Sequence, residues 1–141
     1  MDSKERRRIL TKLNDMVRYI EELEMMLPSK EDYLLDLVKR RACEKTVEAA
    51  IETLVDVAAM IVSAEKLGLP ADEESIFDLL SEKRILEEKL CKNAKRMKGF
   101  RNILIHRYAE TDNELVYSNL KQHIDDFYDF EKQIKLFLKR K

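Results

Sequence analysis

Apolar residues recur every three or four positions near both ends of this chain, and this spacing constrains the fold more than any other feature. Because an α-helix turns by about 100° per residue, the spacing places apolar side chains on one helix face. The sequence therefore predicts a long amphipathic helix near each end. The first helix, which ends at Pro28, carries Ile9, Leu13, Met16, Ile20, Leu23 and Leu27 on this face, and the last carries Val116, Leu120, Ile124, Phe127, Phe130, Ile134 and Phe137.

Three further helices are predicted between these two. The second spans about residues 31–67, before Gly68 and Pro70, and a short third helix begins at residues 72–74. The fourth spans about residues 82–106, and Thr111 with Glu114 predicts a capping box at the start of the last helix. The residues predicted to face inward from the fourth helix are Ile85, Leu86, Leu90, Ala94, Met97, Ile103 and Leu104.

Composition supports an all-helical protein. The 141 residues include only two glycines and two prolines, whereas strand-rich folds need more turn residues. We therefore predict an all-α fold, an antiparallel up-and-down bundle of four long helices and one short helix, in a single domain at residues 1–141. No stretch is apolar enough for a membrane span, and Cys43 and Cys91 lack metal-ligand spacing. We expect a cytoplasmic protein with free thiols, no metal and no cofactor.

Charge is unevenly distributed along the chain although the net charge is only −1. Residues 89–109 contain no acidic residue, whereas the charged residues of segment 110–131 are all acidic except Lys121. A local positive field of this kind suits an anionic nucleic-acid backbone, and Lys95, Lys98 and Arg107 are candidate RNA contacts. A solvated helix face that pairs with the acidic helix after it is an equally good explanation of the charge alone.

Segment 99–108 brings an amide, a histidine and a phenol together with arginine. Arg101, His106 and Tyr108 follow the pattern Arg-x4-His-x-Tyr, and on a helix Arg101 would lie nearly above Tyr108 while Asn102 pairs with His106. Arginine binds phosphate oxygens bidentately, and histidine exchanges a proton near neutral pH. The pattern therefore fits chemistry on phosphate, although a histidine near a helix end is more often a cap and an arginine on such a helix is usually solvated.

Residues 97–108, with the sequence MKGFRNILIHRY, resemble the GFRN-x-hydrophobic-x-H-x-Y signature of the HEPN superfamily, in particular its HepT-like branch. Residues 48–58 look like the long second helix of that family, in which an acidic residue interrupts an apolar run. Residues 77–80, followed by Ile85 and Leu86, look like its connection into the motif helix. The resemblance covers most of the chain, from about Arg6 to about Leu138.

This resemblance implies a toxin of a prokaryotic toxin–antitoxin pair. Many HEPN proteins are metal-independent endoribonucleases that form homodimers in which the two Arg-x4-His motifs face each other. By this resemblance Arg101 and His106 would be the catalytic pair, Asn102 the polar residue after the arginine, and Tyr108 the phenol that completes the motif. The partner in this branch is a minimal nucleotidyltransferase antitoxin, which can transfer AMP onto the motif tyrosine, here Tyr108.

Two acidic residues, Glu52 and Asp56, lie one turn apart within the most apolar part of the second helix. Ionised carboxylates are costly to bury unless they are paired. We therefore expect Asp56 or Glu52 to pair with Arg101 or His106 and to orient it. Pairing with lysines of another helix is the competing expectation.

Other functions and two single residues complete the predictions. The chain could be a non-catalytic HEPN module that binds nucleotide or nucleic acid, or a bundle that only binds a nucleotidyltransferase.

His123, beside Asp126, is predicted at the surface or rim. Gly99 costs about 1 kcal/mol relative to alanine within a helix, which indicates the close approach of another backbone or a ligand, or a kink.

Overall fold

Residues 1–106 and 112–141 are described in the computed structural model. They form four long helices: α1 (Ser3–Met26), α3 (Leu37–Ala64), α5 (Glu88–Ile105) and α6 (Asn113–Lys139). Two short helices, α2 (Lys30–Leu35) and α4 (Glu73–Glu82), lie between them. The predicted all-α class is confirmed, with two short helices in place of the predicted one. None of the helices in the described ranges is long and apolar enough to cross a membrane.

Neighbouring long helices are antiparallel, as cross-helix contacts show. Asn93 of α5 donates to Asp126 of α6 at 3.1 Å, whereas the backbone N–H of Glu87, earlier in the chain, donates to Gln133, later in the chain, at 2.8 Å. The same order relates α1 to α6, because the Arg6 side chain donates to the Leu138 carbonyl oxygen. The first and last helices therefore meet with residues 6 and 138 at the same end of the bundle.

The core is built from the predicted apolar faces. All four long helices contribute side chains without exposed surface, such as Leu13, Leu54, Met97 and Phe130. One prediction on the motif helix was wrong, because Ile103 is 51% exposed rather than inward. Fully buried side chains of this size each contribute roughly 1.5–3 kcal/mol, so the bundle is held mainly by burial of apolar surface.

The predicted second helix is interrupted at Asp36, which has an extended backbone with φ −103° and ψ 101°. The Asp36 carboxylate accepts a hydrogen bond from the backbone N–H of Lys39 at 3.1 Å and so caps the start of α3. Arg40 donates to the carbonyl oxygens of Tyr33 and Leu34, which are left without helical partners where α2 ends. The break lets α2 turn so that Tyr33 is fully buried.

The motif helix begins six residues later than predicted, at Glu88 instead of residue 82, because α4 extends to Glu82. Arg84 adopts a left-handed conformation with φ 58°, and the N–H of Ile85 bonds back to the Leu80 carbonyl. This closes α4 in a helix-ending turn before α5 can begin. At the other predicted boundary, Thr111 lies outside the described residues, and the N-cap of α6 is Asp112.

Candidate active site

Residues 99–106, the described part of segment 99–108, lie at the C-terminal end of α5. Arg101 and Asn102 lie in the last helical turns, and both are partly buried. His106 is the C-cap residue, with its N–H donating to the Asn102 carbonyl at 3.1 Å, and it is exposed. Arg107 and Tyr108 lie outside the described residues. The end of α5 therefore presents a fixed arginine and an exposed histidine within five residues.

Arg101 is held by a carboxylate that sequence reasoning missed, that of Glu73 in the first turn of α4. Its Nη2 lies 2.5 Å from Glu73 Oε1 and its Nη1 lies 3.2 Å from Oε2, so the two side chains pair fork to fork. The arginine side chain is only 12% exposed. Its Nε is buried and has no hydrogen-bond partner among the described residues. The guanidinium is therefore fixed in orientation and still has an unused donor.

The surroundings of Arg101 are acidic. The hydrogen bonds to Glu73 raise the pKa of Arg101 above its ordinary value, against the opposing effect of burial, and the charges of Glu73, Glu52 and Glu48 act in the same direction. Arginine is therefore cationic at every pH at which the protein is folded. A phosphate that reaches this site meets a permanent positive charge whose orientation is set by the protein.

The expected role of Asp56 was wrong. Its side chain is 57% exposed and lies 3.6 Å from Lys12 of α1, so Asp56 pairs with a lysine of another helix and not with the motif. Glu52 is also exposed, although its charge reaches Arg101. The apolar residues of α3 cover its other sides, so these two carboxylates face water and need no buried partner.

The basic segment is partly neutralised within the bundle. Lys95 lies 2.5 Å from Asp78 of α4, and this hydrogen bond raises the pKa of Lys95. Lys92 lies 3.8 Å from Glu88 of its own helix. Neither pair reaches α6, so the acidic helix is not the partner of these lysines. Lys98 is partly exposed and lies near enough to Asp72 to lower its pKa slightly, after the larger effect of the Ser75 hydrogen bonds.

A groove of about 400 Å³ lies between α5 and α6 beside the motif. His123, predicted at the surface, is 7% exposed and lies in this groove, with Nδ1 3.1 Å from Asp126 and its ring 5.4 Å from that of Phe100. The packing of α6 against α5, which places the His123 ring on Phe100, explains this burial. The contact joins two helices that are distant in the sequence, so the sequence alone did not reveal it. A Cβ on Gly99, which also lines the groove, would meet no atom within 4 Å, so no close approach within the described chain explains this glycine.

Both cysteines, Cys43 and Cys91, are buried free thiols. Burial raises the pKa of each thiol, so neither is an activated nucleophile. Within residues 1–106 and 112–141 no group of histidine, cysteine and carboxylate side chains has the arrangement of a metal site. The chemistry that the described residues offer is that of a cation and an imidazole acting on an anionic substrate.

Comparison with known proteins identifies the family to which this fold and motif belong. The sequence matches the family described as ribonuclease HepT-like over residues 16–134. The chain belongs to the HepT-like ribonuclease family. An mRNA nuclease HepT of Shewanella oneidensis is 26% identical over 127 residues, covering 90% of this chain and 96% of that protein. A tRNA nuclease HepT of Aphanizomenon flos-aquae is 25% identical, covering 92% of this chain and 89% of the relative.

The HepT-like fold is also found in a solved complex. The structure of a tri-AMPylated Shewanella oneidensis HEPN toxin in complex with its MNT antitoxin superposes with a TM-score of 0.85 and 25% identity. The match covers 96% of this chain and 99% of that one. The predicted HEPN relationship is thereby confirmed, and the relatives support a ribonuclease of the toxin–antitoxin kind. The catalytic residues, the homodimer and the independence from metal stay predictions.

Proposed function

We propose that this HepT-like chain is the toxin of a prokaryotic toxin–antitoxin pair and cleaves RNA without a metal ion, with Arg101 and His106 as its catalytic residues. The observation that carries this proposal is the end of α5, where a mostly buried, oriented guanidinium is followed five residues later by an exposed imidazole. Two relatives of similar length bear the names mRNA nuclease and tRNA nuclease, which supports RNA as the substrate class.

The proposed reaction uses the RNA 2′-hydroxyl as the nucleophile. The 2′-oxygen forms a bond to the neighbouring phosphorus while the bond from phosphorus to the 5′-oxygen breaks, leaving a 2′,3′-cyclic phosphate and a 5′-hydroxyl. Arg101 stabilises the charge that develops on the phosphoryl oxygens, and His106 takes or supplies a proton. Lys98 and Arg107 hold the flanking backbone, while Lys95 first has to leave Asp78 to do so.

A homodimer completes this scheme, because one histidine cannot be the acid and the base in the same step. In a symmetric pair each copy supplies one imidazole. Two apolar side chains beside the motif, Ile103 and Ile105, are 51% and 48% exposed. Apolar surface next to a proposed site and the open space over Gly99 both favour a second chain at this end of the bundle.

Regulation in this proposal acts on Tyr108, two residues after His106. The related Shewanella oneidensis toxin is AMPylated and bound to an MNT antitoxin. We infer that a cognate minimal nucleotidyltransferase transfers AMP from ATP onto the Tyr108 hydroxyl and releases pyrophosphate. The added phosphodiester brings bulk and negative charge into the motif and opposes the positive charge of Arg101, so cleavage stops. The pair acts in the cytoplasm, where its thiols stay reduced.

The test is cleavage of a mixed RNA pool by purified protein in EDTA. We expect wild-type protein to leave 2′,3′-cyclic phosphate ends, and Arg101→Ala and His106→Ala to be slower by at least about a hundredfold. Arg18→Ala is the matched control, because Arg18 is an exposed arginine of α1 that pairs with Asp15. Circular dichroism and light scattering establish that each variant is folded and has the mass of the wild-type assembly.

A second arm adds the nucleotidyltransferase and ATP before the RNA. Mass spectrometry should then find AMP on the wild type and on Tyr19→Phe but not on Tyr108→Phe, and cleavage should be lost only where AMP is found. Absence of cleavage by a folded, unmodified dimer would refute the nuclease proposal. The chain would then be a non-catalytic partner of the nucleotidyltransferase or a module that binds nucleic acid.

A further inference from the structure

The pair formed by Arg101 and Glu73 joins two helices at the proposed active site. Each terminal nitrogen of the arginine donates to a different oxygen of the carboxylate, Nη2 to Oε1 at 2.5 Å and Nη1 to Oε2 at 3.2 Å. Such a pair requires the guanidinium and carboxylate planes to be nearly coplanar, so it fixes rotation as well as position. Among the described residues, Glu73 is the carboxylate that forms an ion pair with Arg101.

Glu73 is itself held in place by the start of α4. Asp72, the N-cap, accepts hydrogen bonds from the backbone N–H and the hydroxyl of Ser75 at 2.8 and 2.7 Å. These bonds fix the first helical turn, to which Glu73 belongs. Further along α4, Asp78 pairs with Lys95 of α5 at 2.5 Å. Two ion pairs thus join the antiparallel helices, and the one nearer the motif contains Arg101.

Other acidic residues near Arg101 act on it differently. Glu48 and Glu52 of α3 contribute only longer-range charge to the environment of Arg101. Glu48 is itself 3.4 Å from Lys45. The charges of all three acids favour the cationic form of Arg101, but of the three only Glu73 provides the two directed hydrogen bonds that determine where the N–H groups point.

We propose that Glu73 is a positioning residue for RNA cleavage, which it serves by fixing the plane of the Arg101 guanidinium. This inference rests on the proposed function of Arg101. Arginine has five N–H donors. Glu73 uses two, and one further N–H on each terminal nitrogen is left for a phosphoryl oxygen, whereas the buried Nε–H has no acceptor among the described residues. A donor set that is already oriented does not have to be organised during the reaction.

The burial of Arg101 favours positioning over competition with the substrate. With 12% of its side chain exposed, the arginine cannot leave Glu73 without leaving a mostly buried charge unpaired. Glu73 is 37% exposed and fixed by its capped helix. Displacing the pair would therefore be costly, whereas adding a phosphate to the unused donors keeps it intact.

The kinetic test compares Glu73→Gln with Glu74→Gln. Glutamine has nearly the same shape, but it has one acceptor oxygen and no charge, so it cannot form the paired contact. Glu74 is exposed and adjacent in the same helical turn, and it therefore controls for the loss of one acidic charge. We expect Glu73→Gln to lower kcat by between about ten- and a hundredfold with KM changed by less than about threefold. Glu73→Asp, which keeps two acceptors, should recover part of kcat.

A second measurement does not depend on cleavage. In the NMR spectrum of the wild type, the paired guanidinium should rotate slowly, so that the Hη signals of Arg101 are resolved; Arg101→Lys identifies them by their disappearance. These signals should merge or broaden in Glu73→Gln and persist in Glu74→Gln. Thermal unfolding of both variants establishes that the comparison is between folded proteins.

The outcomes separate this inference from the proposed function. Unchanged kcat in Glu73→Gln, with cleavage still dependent on Arg101, overturns the positioning role alone. A higher kcat or tighter RNA binding also overturns it, since Glu73 would then compete with the phosphate. Resolved Hη signals in Glu73→Gln show that the carboxylate does not fix the guanidinium. If Arg101→Ala cleaves RNA as fast as the wild type does, the proposed function itself is refuted.

Discussion

At the scale of single residues, the carboxylate that pairs with Arg101 is Glu73 and not the expected Asp56. Asp56 is 57% exposed and pairs with Lys12 across 3.6 Å. An exposed pair of this kind contributes little, about 0–1 kcal/mol. We therefore expect Asp56→Asn to change the cleavage rate by less than about twofold, in the same assay in which Glu73→Gln is slowed. A large loss with Asp56→Asn would mean that α3 contributes a charged group to the reaction.

Residue identity predicted the candidate site only in part. Arg101, Asn102 and His106 lie close together because they belong to one helix end, and a helix fixes such relations locally. Whether Glu73 contacts Arg101 depends instead on the connection between α3 and α4, residues 65–72, which determines how α4 lies against α5. Glu73 and Glu74 make the first turn of α4 acidic, which is common in helices because negative charges there interact favourably with the helix dipole. The sequence therefore contains Glu73 without any sign of its contact.

At the scale of helices, Asp36 separates α2 from α3 and caps α3 through the N–H of Lys39 at 3.1 Å. Replacing an N-cap aspartate by alanine removes this acceptor and typically costs about 1 kcal/mol. We expect Asp36→Ala to lower the free energy of unfolding in urea by about this amount. Asp125→Ala, at an exposed position within α6, should change it by less than about 0.5 kcal/mol. Equal effects would show that the loss of one acid, and not of the cap, is responsible.

The helices that were predicted most accurately are those with the most regular apolar spacing. The first prediction ends at Pro28, and α1 ends at Met26. The middle boundaries failed because they depend on local hydrogen bonds. An aspartate inside an apolar stretch can be a surface residue or a cap, and an arginine after a short helix can continue it or adopt a positive φ, as Arg84 does at 58°. Tertiary packing of Tyr33 and of residues 85–86 decides between these possibilities.

At the scale of the whole molecule, α6 is joined to α1 by Tyr128, whose hydroxyl donates to the Glu24 carboxylate. Burial, followed by this hydrogen bond and the charge of Glu24, raises the pKa of Tyr128 from 10.0 to about 12. The phenol stays protonated to a higher pH in the folded state than in the unfolded state. Its contribution to the free energy of unfolding is therefore fully present below pH 10.0 and is lost as the pH rises towards about 12.

We therefore expect the free energy of unfolding to fall more steeply between pH 10.0 and about 12 in the wild type than in Tyr128→Phe. Urea titrations at several pH values in this range measure the difference. Tyr19→Phe, which alters a tyrosine of α1 that has no hydrogen bond to a carboxylate among the described residues, should keep the wild-type slope. Parallel curves for wild type and Tyr128→Phe would contradict the assignment.

The antiparallel contact between α1 and α6 has a mechanical consequence. Residues 6 and 138 lie together, since the Arg6 side chain bonds to the Leu138 carbonyl oxygen. A force that pulls these two residues apart opens the interface between α1 and α6 from one end. At each stage the force acts only on the contacts of the one or two helical turns next to the opening. Such a bundle resists stretching weakly even when it is thermally stable. The turns that yield first are those farthest from Pro28, whose carbonyl oxygen accepts a hydrogen bond from Tyr117 at the other end of α6.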